Sequence, residues 1–393
     1  MRIAVNLHPL LSKGGAEKVL LAIAAVLGRE HEVDVMTCGG IDRKAAESFF
    51  GLDLSRIRIR DLTQDGPLWQ RLAAKLLARR REGNRYKKLL TSWVVSSWSA
   101  HYDLFINGES GLLARNRAQH GILYVFFPWN EAEIRTCRSV WHYLYSLPYL
   151  IWLRLHPRFS LDSYDLLLTT SHYVNGHINN RWNRTATLLR PPADGLPGAP
   201  HRRRAILTVG RIFRGTGHDK RLDLLLNIFK QCWHRQKGDC EFHIAGFIND
   251  PAYARELEQA GQGYPIHFHF NVDRQEIWKL NAECMIYWHG AGYGQDLATS
   301  PEKAEHFGMT TVEAMVGGCV PVVFKGGGQP EIVRHGQNGF TWTSPDELME
   351  HTMVLLNNTP LWESYSRVAQ TDSQAYSMES FARQLQSLVT RLA

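Results

Sequence analysis

No C-x-x-C pair occurs among the six cysteines of this 393-residue chain (Cys38, Cys137, Cys232, Cys240, Cys284, Cys319), so their spacing carries neither a zinc site nor a disulfide framework. Reduced, mostly buried thiols are expected. A clear D-x-D near a strand end is missing, as is any His/Cys ligand set, and no metal is expected. Low-complexity tracts and internal repeats are absent too. The apolar, aromatic run Trp141–Leu153 has 13 residues, where a bilayer crossing needs about 20. MRIAVNLHPLLSKGG, at the amino terminus, lacks the charged start and long apolar stretch of a secretory signal, so a cytoplasmic protein is expected. Its glycine turn, Gly14-Gly15, is not the G-x-G-x-x-G of a nicotinamide-binding fold.

What is present is the composition of a folded protein, 44% hydrophobic and 21% charged, with a length that favours two domains. The formal charge of +7 is unevenly spread. Between Leu68 and Ala100, Arg71, Lys75, Arg79, Arg80, Arg81, Arg85, Lys87 and Lys88 face a lone Glu82 and alternate with Trp69, Leu72, Trp93 and Trp98. Such a stretch fits an anionic membrane surface, a nucleic acid, or simply a solvated helix face over a buried stripe.

Strand and helix patterns alternate from the start. Strands are expected at Arg2–Leu7, Glu32–Thr37, Ile57–Leu62, Asp103–Asn107, Ile122–Phe127 and Asp165–Thr170, with a helix at Glu17–Leu27. A Pro/Gly-rich segment, Arg190 to Gly198, then interrupts the pattern, which restarts with strands at Ala205–Val209, Glu241–Ala245, Ile266–Phe270, Met285–Trp288 and Pro321–Phe324. Helices at Asp219–Arg235, Ala252–Ala260 and Arg274–Glu283 separate them. This rhythm predicts an α/β protein of two doubly wound domains, with ligands in a crevice at the carboxyl ends of the strands. The expected boundaries are 1–195, 200–370 and a helical tail, 371–393, packing back on the first domain.

Three glycine-containing turns follow strands. Gly14-Gly15 precedes the first helix, where bare backbone amides can approach an anion. The segment from Gly210 to Lys220 contains Arg211 and Lys220, a guanidinium and an ammonium suited to a diphosphate. PEKAEHFGMTTVEAMVGGCVPVV, residues 301–323, carries two carboxylates, Glu305 and Glu313, around Gly308. Thr310 or Thr311 is expected to cap the helix between them. Each of these residues has an ordinary alternative as a surface loop or helix charge.

Taken in order, these pieces resemble retaining glycosyltransferases of family 4 (glycosyl transferases group 1). Glu305 to Glu313 matches the family's E-x(7)-E, and Gly210-Arg211 with Lys220 its phosphate-binding pair. Gly14-Gly15-Ala16-Glu17 resembles its amino-terminal loop, Ser171 with Tyr173 its inter-sheet serine segment, and Leu189–Asp194 its linker. Gly326-Gly327-Gly328-Gln329-Pro330-Glu331 and Gly336-Gln337-Asn338-Gly339 fit its closing signature. The resemblance implies the GT-B fold, two Rossmann-like domains facing each other across a donor-binding cleft. It also implies that Glu313 holds the nucleotide ribose, and that Glu305 with the amides of Phe307, Gly308 and Met309 engages the donor sugar. Arg211 and Lys220 would hold the diphosphate, aided by Gly14, Gly15 and the helix start at Thr310. Two departures stand out: the loop ending His218-Asp219-Lys220 is longer than in many members, and Phe126-Phe127-Pro128 lacks the histidine found before the aromatic-proline pair elsewhere.

The expected function is therefore hexose transfer, with retention and without metal or cofactor, from a GDP- or UDP-sugar, mannose slightly favoured by analogy. The expected acceptor is a saccharide or lipid-linked saccharide of cell-surface polysaccharide or lipopolysaccharide synthesis. Trp141–Leu153 and the basic stretch would serve peripheral contact with an anionic membrane, and no nucleic acid partner is expected. A sugar-nucleotide epimerase on the same fold and a non-enzymatic membrane- or nucleic-acid-binding protein are the alternatives.

Overall fold

A computed structural model describes residues 1–7, 14–37, 40–65, 67–69, 71–72, 85–108, 114–128, 160–198, 202–215, 219–236 and 238–392. Outside these fall the Trp141–Leu153 run, Cys38, Cys137, Thr216–His218, Ala199–His201 and much of the basic stretch. The chain divides into two compact units, one of residues 1–170, 174–189 and 382–393, the other of 171–173 and 190–381.

The first unit is built on a seven-stranded parallel sheet. Its strands are β1 (Arg2–Asn6), β2 (Glu32–Thr37), β3 (Arg58–Asp61), β4 (Leu104–Asn107), β5 (His120–Val125), β6 (Leu166–Thr169) and β7 (Thr187–Leu188), in the order β3-β2-β1-β4-β5-β6-β7. The central strands are buried along almost their whole length, which is why they read as continuous apolar runs and not as alternation. Helix α1 (Gly15–Leu27) follows β1, and the Gly14 N–H donates to the Glu17 carboxylate at 3.0 Å, satisfying a donor that the helix leaves open. Helices α2 (Arg43–Phe50), α3 (Arg85–Ser99) and α4 (His172–Trp182) complete the described elements. At the start of α3's segment, Leu68, Trp69, Leu72 and Trp93 are exposed, and the rings of Trp69 and Trp93 pack 4.6 Å apart. Among the described residues, no helix is long and apolar enough to cross a membrane.

One buried charge in this unit is strongly tied. Asp34 on β2 accepts from Arg58 at 2.7 Å, Arg60 at 3.3 Å and the Tyr102 hydroxyl at 2.8 Å. Burial, then the Asp34 carboxylate, push the Tyr102 phenol above its usual range, so it remains the donor. Asp34→Ala should cost about 2–3 kcal/mol, at the low end for a broken buried pair because both arginines can reach water. Urea unfolding measures this; an unchanged midpoint would show that Asp34 is energetically idle.

The second unit has a six-stranded parallel sheet of β8 (Arg203–Val209), β9 (Glu241–Gly246), β10 (Ile266–Phe270), β11 (Cys284–His289), β12 (Val320–Phe324) and β13 (Phe340–Trp342). Their order, β10-β9-β8-β11-β12-β13, reverses direction of growth between β8 and β11, and ligands bind at the carboxyl side of such a switch point. Helices α5 (Leu222–Arg235), α6 (Pro251–Gly261), α7 (Arg274–Glu283), α8 (Met309–Gly317), α9 (Gln329–Ile332), α10 (Pro345–Asn357) and α11 (Thr359–Ser373) connect or follow them, and most of α12 (Met378–Thr390) belongs to the first unit. Two apolar clusters cover the two sheet faces, one around Phe229, Phe242 and Trp288, the other around Leu207, Tyr287 and Met315. Two of the buried tryptophans there are paired: Trp288 Nε1 donates to Thr352 Oγ1 and Trp362 Nε1 to the Met285 carbonyl, both at 2.8 Å. The four cysteines of this unit are free and buried.

Two local expectations need correction. Helix α5 begins at Leu222 and not Asp219, because the Asp219 carboxylate accepts the Arg221 N–H at 2.9 Å and turns the chain, with Arg221 at φ +56°. Helix α8 is capped by Gly308, at φ +115°, and neither Thr310 nor Thr311 is its cap. Strands β7 and β13, of two and three residues, are too short to show a period in the sequence.

Candidate functional site

The site in the second unit grows from the ends of β8 and β11, the pair that flanks its switch point. After β8, Gly210 lets the chain pass the Lys220 stem; a Cβ there would lie 2.7 Å from Lys220 Cγ. Lys220 forms an ion pair with Glu305, and its ammonium is 3.2 Å from Nε2 of His289, the last residue of β11. The same His289 nitrogen is 3.0 Å from Glu305 Oε2. His289 is 1% exposed, while Lys220 and Glu305 keep 14% and 15% of their side chains open to solvent. A buried imidazole thus backs a cation and an anion that a ligand can still reach. Its Nε2 accepts from the ammonium in one tautomer and donates to the carboxylate in the other.

Glu305 is held by its backbone. The Gly328 N–H donates to the Glu305 carbonyl at 2.8 Å. Gly327 adopts φ +64°, and a Cβ on it would stand 2.0 Å from that carbonyl oxygen; at Gly328 a Cβ would stand 2.5 Å from the His306 oxygen. On the same loop, Ser171 Oγ donates to the His306 carbonyl at 2.6 Å and the Tyr173 hydroxyl to that of Pro301 at 2.8 Å. Glu331, behind the glycines, accepts the N–H groups of His172 and Tyr173 at 2.9 and 2.7 Å. The glycine triplet and the serine segment thus hold one loop. Gly327→Ala should displace Glu305 and lower turnover about 100-fold, since a misplacement of about 1 Å at a reacting centre costs that much. Gly263→Ala is the control: φ there is also positive, +81°, with open space around it, so it pays the backbone strain alone. Equal activities of the two variants would show that the glycine contact does not position Glu305.

Glu313 lies on α8 with its side chain 2% exposed, in an ion pair with Arg274 at the start of α7. Thr310 faces inward: its hydroxyl accepts from the Tyr287 phenol at 2.7 Å. Burial first, then the charges of Glu305 and Glu313, raise the Tyr287 phenol above its usual range. The Phe307 side chain is buried and meets the Tyr376 ring edge-to-face at 5.6 Å, so only its backbone is available to a ligand. Met309 packs on the same core. Arg211 places its guanidinium 5.0 Å over the Phe213 ring, and no carboxylate pairs with it among the described residues.

Of the residues expected to act together, Lys220 and Glu305 are in direct contact; Arg211, Phe307, Gly308, Met309, Thr310 and Glu313 belong to the same unit. Gly14 and Gly15 are in the first unit, at the head of α1. The resemblance implies only that His289, with Gly290 to Gly292, lines the donor pocket; its contact with both partners, and the pairing of Arg274 with Glu313, go beyond that. A histidine ending an apolar strand was a usable signal for the first; no spacing in the sequence points to the second.

Residues 196–372 match the family model described as Glycosyl transferases group 1. That match takes in most of the second unit. A curated relative, sulfoquinovosyl transferase SQD2 of Arabidopsis thaliana, is 26% identical over 176 residues, 44% of this chain. That match spans 30% of the relative's length. Among solved structures, Anabaena Alr3699/HepE in complex with UDP and glucose aligns over 100% of both chains at 19% identity with a TM-score of 0.70. WaaG, a glycosyltransferase involved in lipopolysaccharide biosynthesis, aligns over 99% of both at 15% identity with a TM-score of 0.66. Both units therefore have the parallel-sheet architecture of GT-B glycosyltransferases. The match covers Arg211, Lys220, His289, Glu305 and Glu313.

Proposed function

We propose that this protein is a retaining hexosyltransferase that uses a GDP- or UDP-sugar and a saccharide or lipid-linked saccharide acceptor. The observation that carries the reading is the buried contact of Lys220, His289 and Glu305 beyond the ends of β8 and β11. In a nucleotide sugar the diphosphate and the sugar are joined at one oxygen, so an adjacent ammonium and carboxylate can serve both at once. Lys220 and Arg211 take the phosphate oxygens, on which negative charge develops as the nucleoside diphosphate leaves. Glu305 accepts from sugar hydroxyls and stabilises positive charge at the anomeric carbon. The first N–H groups of α8, which have no intrahelical acceptor, add to the positive side.

Two fixed cations can supply the charge that a divalent ion would supply, and we assign no metal to the transfer step. Retention follows a front-face route in which the leaving phosphate oxygen receives the acceptor proton, with Glu305 positioning the sugar and not attacking it. The crystals of Anabaena HepE with UDP and glucose and with UDP-glucose support a uridine donor as the first to assay. GDP-mannose is the second. An acceptor in lipopolysaccharide or surface polysaccharide synthesis is supported by the likeness to WaaG. The exposed Leu68, Trp69, Leu72 and Trp93 beside a basic segment fit peripheral contact with the cytoplasmic face of an anionic membrane.

The test is product analysis. Nucleoside diphosphate release that depends on a saccharide acceptor, in EDTA, with the sugar's anomeric configuration kept, is the expected result. Conversion of the nucleotide sugar without any acceptor would identify an epimerase instead, and inversion would remove the mechanism. Flotation with anionic but not neutral vesicles at low salt tests the membrane contact; no flotation in either would remove it.

A further inference from the structure

Away from the donor-binding loops, at the edge of the second sheet, lies a set of side chains that sugar transfer does not use. Glu241 and His243 stand two residues apart on β9 and so share one face. Parallel register places His267 of β10 directly beside His243, with His269 further along the same face. The imidazole of His243 is 4% exposed and packs between the other two, with ring centroids 4.8 Å from His267 and 5.2 Å from His269. Glu241 Oε2 is 3.3 Å from His243 Nε2 and 4.0 Å from His267 Nε2, and one ligand atom of each of the three residues lies within 4.8 Å of the other two.

We propose that Glu241, His243 and His267 bind a divalent transition-metal ion, with zinc the best match, clamping the edge strand β10 to β9. Zinc bonds to imidazole nitrogen and carboxylate oxygen are about 2.0–2.2 Å, which in a tetrahedron separates the ligand atoms by roughly 3.3–3.5 Å. The first pair is already at that spacing. His267 is 48% exposed, so its ring can swing in, by about half an ångström toward Glu241 and by at most about 1.4 Å overall, without disturbing a core. Two imidazoles and one carboxylate are the borderline nitrogen and oxygen set that zinc takes, with water as the fourth ligand.

The fourth histidine supplies the orienting partner that metal-bound imidazoles have. His243 Nδ1 is 2.9 Å from His269 Nε2, and His269 Nδ1 faces Glu276 Oε1 of α7 at 4.0 Å. With the Glu276 carboxylate drawing the His269 proton to Nδ1, His269 Nε2 accepts from His243 Nδ1–H. The lone pair of His243 Nε2 then points at the Glu241 carboxylate. Two lone pairs at 3.3 Å repel unless a cation sits between them. The opposite tautomer places a proton on Nε2 and satisfies the same atoms without an ion, so experiment can separate the two. Glu241 opens β9 at the amino end of the sheet, whereas Lys220, His289 and Glu305 lie past the carboxyl ends of β8 and β11. The ion would therefore hold the fold and take no part in transfer.

The experiment uses the full chain, stripped with EDTA and titrated with Zn²⁺ by calorimetry and with Co²⁺ by visible absorption. The expected result is one tight ion per chain with the d–d bands of a low-coordinate cobalt site. Glu241→Gln, at a half-buried position, and His267→Ala, at an exposed one, should each weaken binding by at least about tenfold, as should His269→Ala, which acts through His243. His101→Ala, in the first unit, should leave it unchanged. Absence of a stoichiometric ion, or binding equal to wild type in both Glu241→Gln and His267→Ala, overturns the proposal. Intact nucleotide-sugar turnover in the stripped protein would separate this site's fate from that of the transferase reading.

Discussion

Glu305→Gln should lower kcat by about a thousandfold or more while leaving donor affinity within a few fold of wild type. The amide keeps the shape of the side chain but removes the charge that meets Lys220 and His289. Under the proposed transfer that charge faces the carbon where positive charge grows, and the glycine contact on its carbonyl holds it in place. The Lys220 ammonium, released from its partner, remains available to phosphate oxygens. KM for the donor should therefore stay level or fall, and the loss should appear in kcat. Single-turnover kinetics with a saturating donor will show this. A glycosyl adduct trapped on Glu305 would contradict its role as a positioning carboxylate, because it would make Glu305 the nucleophile of a double displacement. Unchanged turnover would remove it from the chemistry altogether.

Glu313→Ala should act on both stability and donor binding. Its partner Arg274 is 17% exposed, so deleting the carboxylate leaves a largely buried guanidinium without its ion pair, at a cost of about 2–4 kcal/mol. If the carboxylate also accepts ribose hydroxyls, as the E-x(7)-E resemblance implies, KM for the nucleotide sugar should rise at least about tenfold. The two roles are separable. Combining Glu313→Leu with Arg274→Met removes both charges and should recover most of the lost stability, because a buried ion pair replaced by apolar groups is often nearly neutral. Donor affinity should not recover with it. Recovery of both in the double variant would make Glu313 a structural residue.

Much of this architecture is legible because parallel strands covered on both faces must be apolar throughout, and glycine turns mark where each ends. β1, β11 and β12 are near-continuous apolar runs, and they were found within one residue or so at each end. The carboxylate pair of α8 is legible for a related reason: E-x(7)-E fits within one turn-and-helix element, so its spacing survives in the sequence. What is hidden depends on sheet order. Arg274 meets Glu313 only because α7 and α8 pack on one face of the second sheet. His289 meets Lys220 only because β11 lies beside β8 and not beside β10. Ile266–Phe270 reads as an ordinary alternating strand; the parallel register that places His267 by His243 is not local information. The helix cap was misread for a different reason. Threonines are good caps, but the left-handed turn before α8 needs φ near +115°, and only Gly308 provides it without strain.

The central claim is that Lys220 and Arg211 form the diphosphate end of a nucleotide-sugar site, and calorimetric titration with UDP, GDP, dTDP and ADP in EDTA tests it most directly. The account predicts that one nucleoside diphosphate binds once per chain and that Lys220→Ala and Arg211→Ala each weaken it at least about tenfold, with little change in unfolding temperature. Failure of all four nucleotides to bind, or binding that neither substitution weakens, would contradict it.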